Sequence, residues 1–215
     1  MKIGVFDSGI GGKSVADAIE SAMTEHEVVF KDDSENMPYG NKEPEEIYKL
    51  ALPKLQTLAD NVDIIVVACN TLTTLFLDDF KRELPVPVIG VAPMLKEAVR
   101  LSKKHKIGVF ATPATFASSG YKSLKAKYTK DIEVLEPDCS KWAYYIEQNK
   151  RSNADISETV HDVLVCGADV LVLACTHYHW IEESILEEAK KFNATVIQPE
   201  SLTIERVRQE IARLS

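Results

Sequence analysis

The sequence predicts an α/β fold built twice: two similar parallel-sheet domains related by a pseudo-twofold, with the active site in the cleft between them. Three observations carry this. Lys2-Ile3-Gly4-Val5-Phe6 recurs letter for letter as Lys106-Ile107-Gly108-Val109-Phe110, an offset of 104 residues, and self-similarity at a fixed offset is the mark of a repeated architecture. Further pairs follow in the same order. Glu27-Val28-Val29-Phe30 matches Glu133-Val134-Leu135-Glu136, Asp63 to Cys69 matches Asp169 to Cys175 (both at an offset of 106), and Val88-Ile89 matches Val196-Ile197 at 108. Finally, these runs are short and rich in Val and Ile, as expected of strands covered on both faces, and amphipathic helical stretches separate them.

The elements follow in chain order. After the first strand, Gly9 to Gly12 make a turn into a helix from Lys13 to Ala22. A second helix spans Pro44 to Ala59, opened by proline and two glutamates that suit a helix start. Ala92 to Lys103 and Glu182 to Phe192 also carry helical spacing. Strand-helix alternation of this kind gives parallel sheets with right-handed crossovers, about four strands in each half. By the repeat, the tail from Glu200 to Leu214 is the equivalent of the segment from Ala92 to Lys104. It is therefore expected to return and pack on the first half. The predicted domains are 1–91 with 200–215, and 92–199.

Composition narrows the function. At 215 residues and 45% hydrophobic content the chain can bury a substantial core. A net charge of -8 makes nucleic acid a poor partner. The N-terminus shows no long apolar stretch behind a basic leader, which argues against a signal peptide and a membrane helix and predicts a cytoplasmic protein. Four cysteines, Cys69, Cys139, Cys166 and Cys175, have neither CxxC nor finger spacing, so no structural metal and no disulfide is expected.

Ligands of open parallel sheets bind beyond the carboxyl ends of the strands, and the unusual residues fall there. Asp7-Ser8-Gly9-Ile10-Gly11-Gly12 follows the first strand, and Asp33-Ser34 then Pro38-Tyr39-Gly40 follow the second. Cys69-Asn70-Thr71, Thr112-Pro113-Ala114-Thr115 and Cys175-Thr176-His177 occupy the matching later edges. A thiol at a strand-to-helix junction feels the positive end of the helix dipole, which is expected to lower its pKa and suit it to act as a base. Asn70, Thr71 and Thr176 supply donors for carboxylate oxygens. The glycine cluster also admits phosphate binding, but the full dinucleotide fingerprint and the Walker lysine are absent. Cys139 reads as structural, Cys166 as core, and His26, His105, His161 and His179 as surface or packing residues.

These five motifs, taken in order, resemble those of glutamate racemases within the aspartate/glutamate racemase superfamily, from residue 3 to about 180. The resemblance implies cofactor-independent interconversion of L- and D-glutamate by two-base proton transfer, supplying D-glutamate for peptidoglycan. It implies Cys69 and Cys175 as acid/base thiols, assisted by Asp7, His177 and Glu147, the last eight residues after Cys139. Ser8, Pro38, Tyr39, Gly40, Asn70, Thr71, Thr112, Thr115 and Thr176 would bind the substrate. No cofactor is implied; the expected partners are a small-molecule substrate and a second copy in a homodimer, with neither nucleic acid nor membrane. Glu35-Asn36-Met37 before Pro-Tyr-Gly, His179-Trp180 after the Cys-Thr-His-Tyr run and a short C-terminus depart from the family pattern. Action on aspartate or another small dicarboxylate, and a non-catalytic amino-acid-binding role, are the alternatives.

Overall fold

The computed structural model describes residues 1–149 and 154–214. Residues 150–153, inside the expected second domain, and residue 215, at the end of the expected returning tail, lie outside the described residues.

The first sheet comprises β1 (Lys2–Asp7), β2 (Glu27–Asp32), β3 (Ile64–Val67) and β4 (Val88–Gly90). These are interleaved with α1 (Lys13–Ala22), α2 (Pro44–Ala59) and α3 (Asn70–Glu83). After α4 (Leu95–Leu101), the second sheet comprises β5 (Lys106–Phe110), β6 (Glu133–Leu135), β7 (Val170–Leu173) and β8 (Thr195–Ile197). Its helices are α5 (Pro113–Ala117), α6 (Ser119–Tyr128), α7 (Trp142–Glu147), α8 (Ala154–Val165) and α9 (Glu182–Lys191), and α10 (Glu200–Leu214) closes the chain. Both sheets are wholly parallel and share one order, β2-β1-β3-β4 and β6-β5-β7-β8.

The repeat extends to register and to detail. Lys2 pairs with Glu27 as Lys106 pairs with Glu133, and Ile3 pairs with Ile64 as Ile107 pairs with Val170. The two aspartates that open the Cys-bearing strands also match. Asp63 N–H donates to Lys2 O at 2.8 Å and Asp169 N–H to Lys106 O at 3.1 Å. In this strand order the chain switches direction between β1 and β3, and again between β5 and β7, so a crevice opens beyond those carboxyl ends. Asp7 and Cys69 flank the first such point, Thr112 and Cys175 the second.

Packing explains which helices form. Val15, Ala16 and Ile19 of α1 bury against Ile3, Val5, Ile64 and Val66, while Ile47, Ala51, Leu55 and Leu58 of α2 cover the other face through Phe6, Ile65 and Val67. In the second half Leu95 and Ala98 of α4 bury against Ile107, Val109, Val170 and Val172. Val207 of α10 is buried in the core of the first half, with Ile204 and Ile211 packed against it. The tail therefore returns to the first sheet.

Two expectations are corrected. The helix read from Ala92 to Lys103 is shorter, because Ala92 precedes Pro93 and is biased away from helical geometry. At its far end Asp169 captures Ser102 Oγ at 2.6 Å and the Lys103 and Lys104 N–H groups at 2.7 and 2.8 Å, drawing the chain out of the helix. Cys166, expected in the core, is exposed: α8 ends at Val165, and its inward stripe of Ile156, Val160, Val163 and Leu164 leaves Cys166 in the closing turn.

The halves meet closely where α3 faces α6. A Cβ on Gly120 would collide with the carbonyl oxygen of Thr74, a backbone atom that cannot rotate aside. Gly120→Ala is therefore expected to cost about 1–3 kcal/mol, read as a lower denaturation midpoint in urea; an unchanged midpoint would contradict this contact. Among the described residues no helix is long and apolar enough to cross a membrane.

Candidate active site

From the first half, Asp7 ends β1 fully buried. Its Oδ1 accepts the Gly9 N–H at 3.0 Å, and its Oδ2 accepts the Thr176 hydroxyl at 2.9 Å across the cleft. Burial pushes the Asp7 carboxyl above its ordinary value, opposed by the charge of His177 and by the bonds from Gly9, Thr176 and Ser8. Ser8 Oγ lies 3.5 Å from Cys69 Sγ.

Cys69 caps β3, and α3 starts at the next residue. The expectation of a lowered thiol pKa fails here. Burial, then the neighbouring Asp7 carboxylate, pushes Cys69 up to about 12, against smaller lowering effects from the Leu72 N–H and Ser8. A helix start contributes a fixed fraction of a charge, whereas full desolvation and an adjacent anion both oppose the thiolate. Cys69 rests as a thiol.

Beyond it, Asn70 is buried with neither its amide nitrogen nor its amide oxygen paired among the described residues. Unpaired buried polar atoms are costly, and here both atoms belong to a residue that lines the cleft. Thr71, Thr112 and Thr115 form a triangle of hydroxyls at 2.9, 3.0 and 3.2 Å that joins α3 to α5. The Tyr39 hydroxyl donates to Asp33 at 2.6 Å, and Asp33 is held in turn by Asn36 at 2.9 Å and Lys54 at 3.1 Å. Asp33 thus fixes the Pro38-Tyr39-Gly40 turn, a role invisible at its place in the sequence.

From the second half, Cys175 lies two residues beyond β7 and caps a 3-10 turn from Thr176 to Ile181. His177 Nδ1 lies 3.8 Å from Cys175 Sγ, and its Nε2 lies 2.8 Å from Glu147 Oε1, which also accepts the Ile10 N–H at 3.1 Å. Burial alone would lower the pKa of His177, but its bonds to Cys175 and Glu147 and the nearby negative charge raise it to about 10. Glu147 is lowered: the bond and charge of His177 outweigh its burial. The glycine turn that could have cradled phosphate is occupied by this machinery. A Cβ on Gly11 would stand 2.6 Å from His177 N and 2.7 Å from Thr176 Oγ1, so glycine there permits the halves to touch.

One closed cavity gathers most of the expected residues. Ser8, Pro38, Tyr39, Gly40, Cys69, Asn70, Thr71, Thr112, Cys175, Thr176 and His177 line it, and its free volume is about 10 Å³, the space of one water centre. Asp7, Thr115 and Glu147 stand behind that lining and bond to it. Ala143 of α7 also lines the cavity; a methyl group has no chemistry for sequence reading to detect. Cys139 lies in the second core, 2% exposed, outside the lining.

Two parallel-sheet halves each place a thiol on the lining of one cavity, an arrangement that suits the class of racemases and epimerases. Residues 8–207 match the family described as Asp/Glu/Hydantoin racemase. Among similar proteins, the glutamate racemase of a Sulfurihydrogenibium species is 36% identical over 192 residues, covering 86% of this chain and 74% of that protein. Among solved structures, a glutamate racemase isoform from Bacillus anthracis superposes with a TM-score of 0.84 at 30% identity, covering 99% of this chain and 82% of the other. The glutamate racemase of Francisella tularensis, crystallised with D-glutamate, gives 0.82 at 30% identity, covering 99% and 81%. The chain belongs to the Asp/Glu/Hydantoin racemase family and is an isomerase.

Proposed function

We propose that this protein interconverts L- and D-glutamate by two-base proton transfer, with Cys69 and Cys175 as the acid/base pair, and supplies D-glutamate for peptidoglycan. The observation that carries the reading is the pair of thiols, one from each sheet at repeat-equivalent strand ends, lining a single closed cavity. Support for glutamate comes from relatives of that name at 36% identity and from a neighbour crystallised with D-glutamate.

The chemistry follows from the geometry. A thiolate on one side removes the α-proton, and the thiol on the other returns a proton to the opposite face. In the reverse direction the two exchange roles. The carbanion places charge on the substrate carboxylate, which needs donors already aimed at it. The unpaired Asn70 amide and the hydroxyls of Thr71 and Thr176 suit that task, with Ser8, Pro38, Tyr39, Gly40, Thr112 and Thr115 completing or bracing the binding surface. His177 presents an N–H to Cys175 as negative charge forms there, Glu147 holds its ring, and Asp7 orients Thr176. A cavity this small excludes bulk water and strengthens each of these interactions.

The same reading takes residues 1–91 with 200–215 as one domain and 92–199 as the other, supported by α10 packing into the first core and α4 into the second. A homodimer in the cytoplasm completes it, supported by family membership alone. The test is chiral chromatography after incubation with each enantiomer of glutamate and of aspartate. Both glutamate enantiomers are expected to approach a racemic mixture; turnover of neither would overturn the reading.

A further inference from the structure

A second buried polar cluster lies outside the chemistry just described. His179, expected at the surface or in packing, has a side chain only 3% exposed. Its Nδ1 lies 3.0 Å from Ser14 Oγ and 3.3 Å from Glu200 Oε1, while its Nε2 has no hydrogen-bond partner among the described residues. One nitrogen therefore makes all the polar contacts of the ring.

These contacts join three separate elements. Ser14 belongs to α1, His179 to the turn that begins at Thr176, and Glu200 is the first residue of α10, where the chain crosses back to the first half. The Ser14 hydroxyl donates to the Gly11 carbonyl at 3.2 Å, so its oxygen is left to accept from His179 Nδ1. Gly11 is the point where the first half touches Thr176 and His177. Glu200 is steadied from its own side, since Gln198 Nε2 donates to Glu200 Oε2 at 3.1 Å. The other carboxylate acting on this cluster, Glu182, is half-buried and responds to the charges of both His179 and Glu200.

Resting on the reading of the cavity as the racemisation site, we propose that His179 is a positioning residue. With Ser14 and Glu200 it forms a clasp that holds the Cys175–His177 turn against the first half and so sets the balance between closed and open cleft. The cavity has only about 10 Å³ of free volume, so the halves part to admit a substrate and the clasp is made again across the filled cleft. A ligand held only once the clasp re-forms around it binds with an apparent affinity equal to its intrinsic affinity multiplied by the fraction of protein able to close. Loosening the clasp therefore raises KM and leaves kcat nearly unchanged, because the complex that forms still reacts in the closed state.

The test uses two replacements of His179 in the full chain. Leucine fills the volume without a donor, whereas asparagine places an amide N–H group where Nδ1 stands. His179→Leu is expected to raise KM for glutamate about fivefold or more with kcat within about twofold, and His179→Asn to stay within about twofold of the wild type in both. If His179→Leu does not fold, Ser14→Ala removes the same bond from the other side and is expected to raise KM likewise. An unchanged KM in His179→Leu, or equal impairment by leucine and asparagine, would overturn the clasp. Should the wild type turn over neither glutamate enantiomer, it is the functional reading that fails. The clasp is then read by amide exchange across residues 11–14 and 176–181, expected to be faster in His179→Leu; equal exchange overturns it.

Discussion

Replacing either Cys69 or Cys175 by alanine is expected to lower kcat/KM for racemisation by about 10³-fold or more in both directions. In the proposed reaction each thiol is the base for one enantiomer and the acid for the other, so removing one leaves no direction with a complete pair. This separates a two-base site from one in which a single group works on both faces, since that site would lose activity with only one of the two replacements. Cys69 rests as a thiol near 12, which suits a proton donor and means that its use as a base requires the incoming substrate to alter its surroundings. Stability is a minor concern: each replacement removes one buried sulfur, at a cost of about 1 kcal/mol. The exposed Cys166 provides the control, and Cys166→Ala is expected to match the wild type. The measurement is chiral chromatography combined with solvent deuterium incorporation at the α-carbon. Either variant retaining a tenth of wild-type racemisation would sink the two-thiol account.

Much of this arrangement is legible in the sequence because its causes are local or repeated. Runs such as Ile64–Val67 and Val170–Leu173 declare buried strands without any tertiary knowledge. The doubled Lys-Ile-Gly-Val-Phe reveals the repeat, the match of Asp63 to Cys69 with Asp169 to Cys175 makes the two cysteines equivalent, and the sheet rule puts both at the crevice. What is hidden depends on neighbours distant in the chain. Asp33 matters through Tyr39, Asn36 and Lys54, and its place after a strand does not reveal that convergence. Ala143 matters only as a wall. The acidity of Cys69 is hidden in the same way: a helix dipole can be read from sequence order, whereas desolvation and the approach of Asp7 cannot. His179 is a similar case, since its partners come from α1 and α10, which are far apart in sequence.

Glu147→Gln is expected to move the alkaline limb of the pH–rate profile to lower pH by about one to two pH units, with kcat/KM at pH 9 falling about two- to tenfold. His177 is raised to about 10, against its burial, by Cys175, Glu147 and the surrounding negative charge. It therefore stays protonated through neutral pH and loses its proton before Cys69, near 12, loses its own. A rate that needs the His177 proton beside Cys175 is flat below that point and falls as pH rises through about 10. Glutamine keeps an acceptor oxygen 2.8 Å from Nε2 but removes the charge, so burial, which lowers the His177 pKa, meets less opposition. The folded value of His177 lies above its ordinary 6.5, so the stabilisation it gains is complete below that value and is lost as pH rises through about 10. Glu147 is lowered from 4.5, so its contribution is present above that value and is lost as pH falls through its lower folded value. The wild type should therefore exceed Glu147→Gln in Tm most clearly between about 5 and 6.5, with the gap narrowing above that and closing above about 10. A pH–rate profile for Glu147→Gln that superimposes on the wild type would mean that the imidazolium beside Cys175 plays no part in the proton transfer.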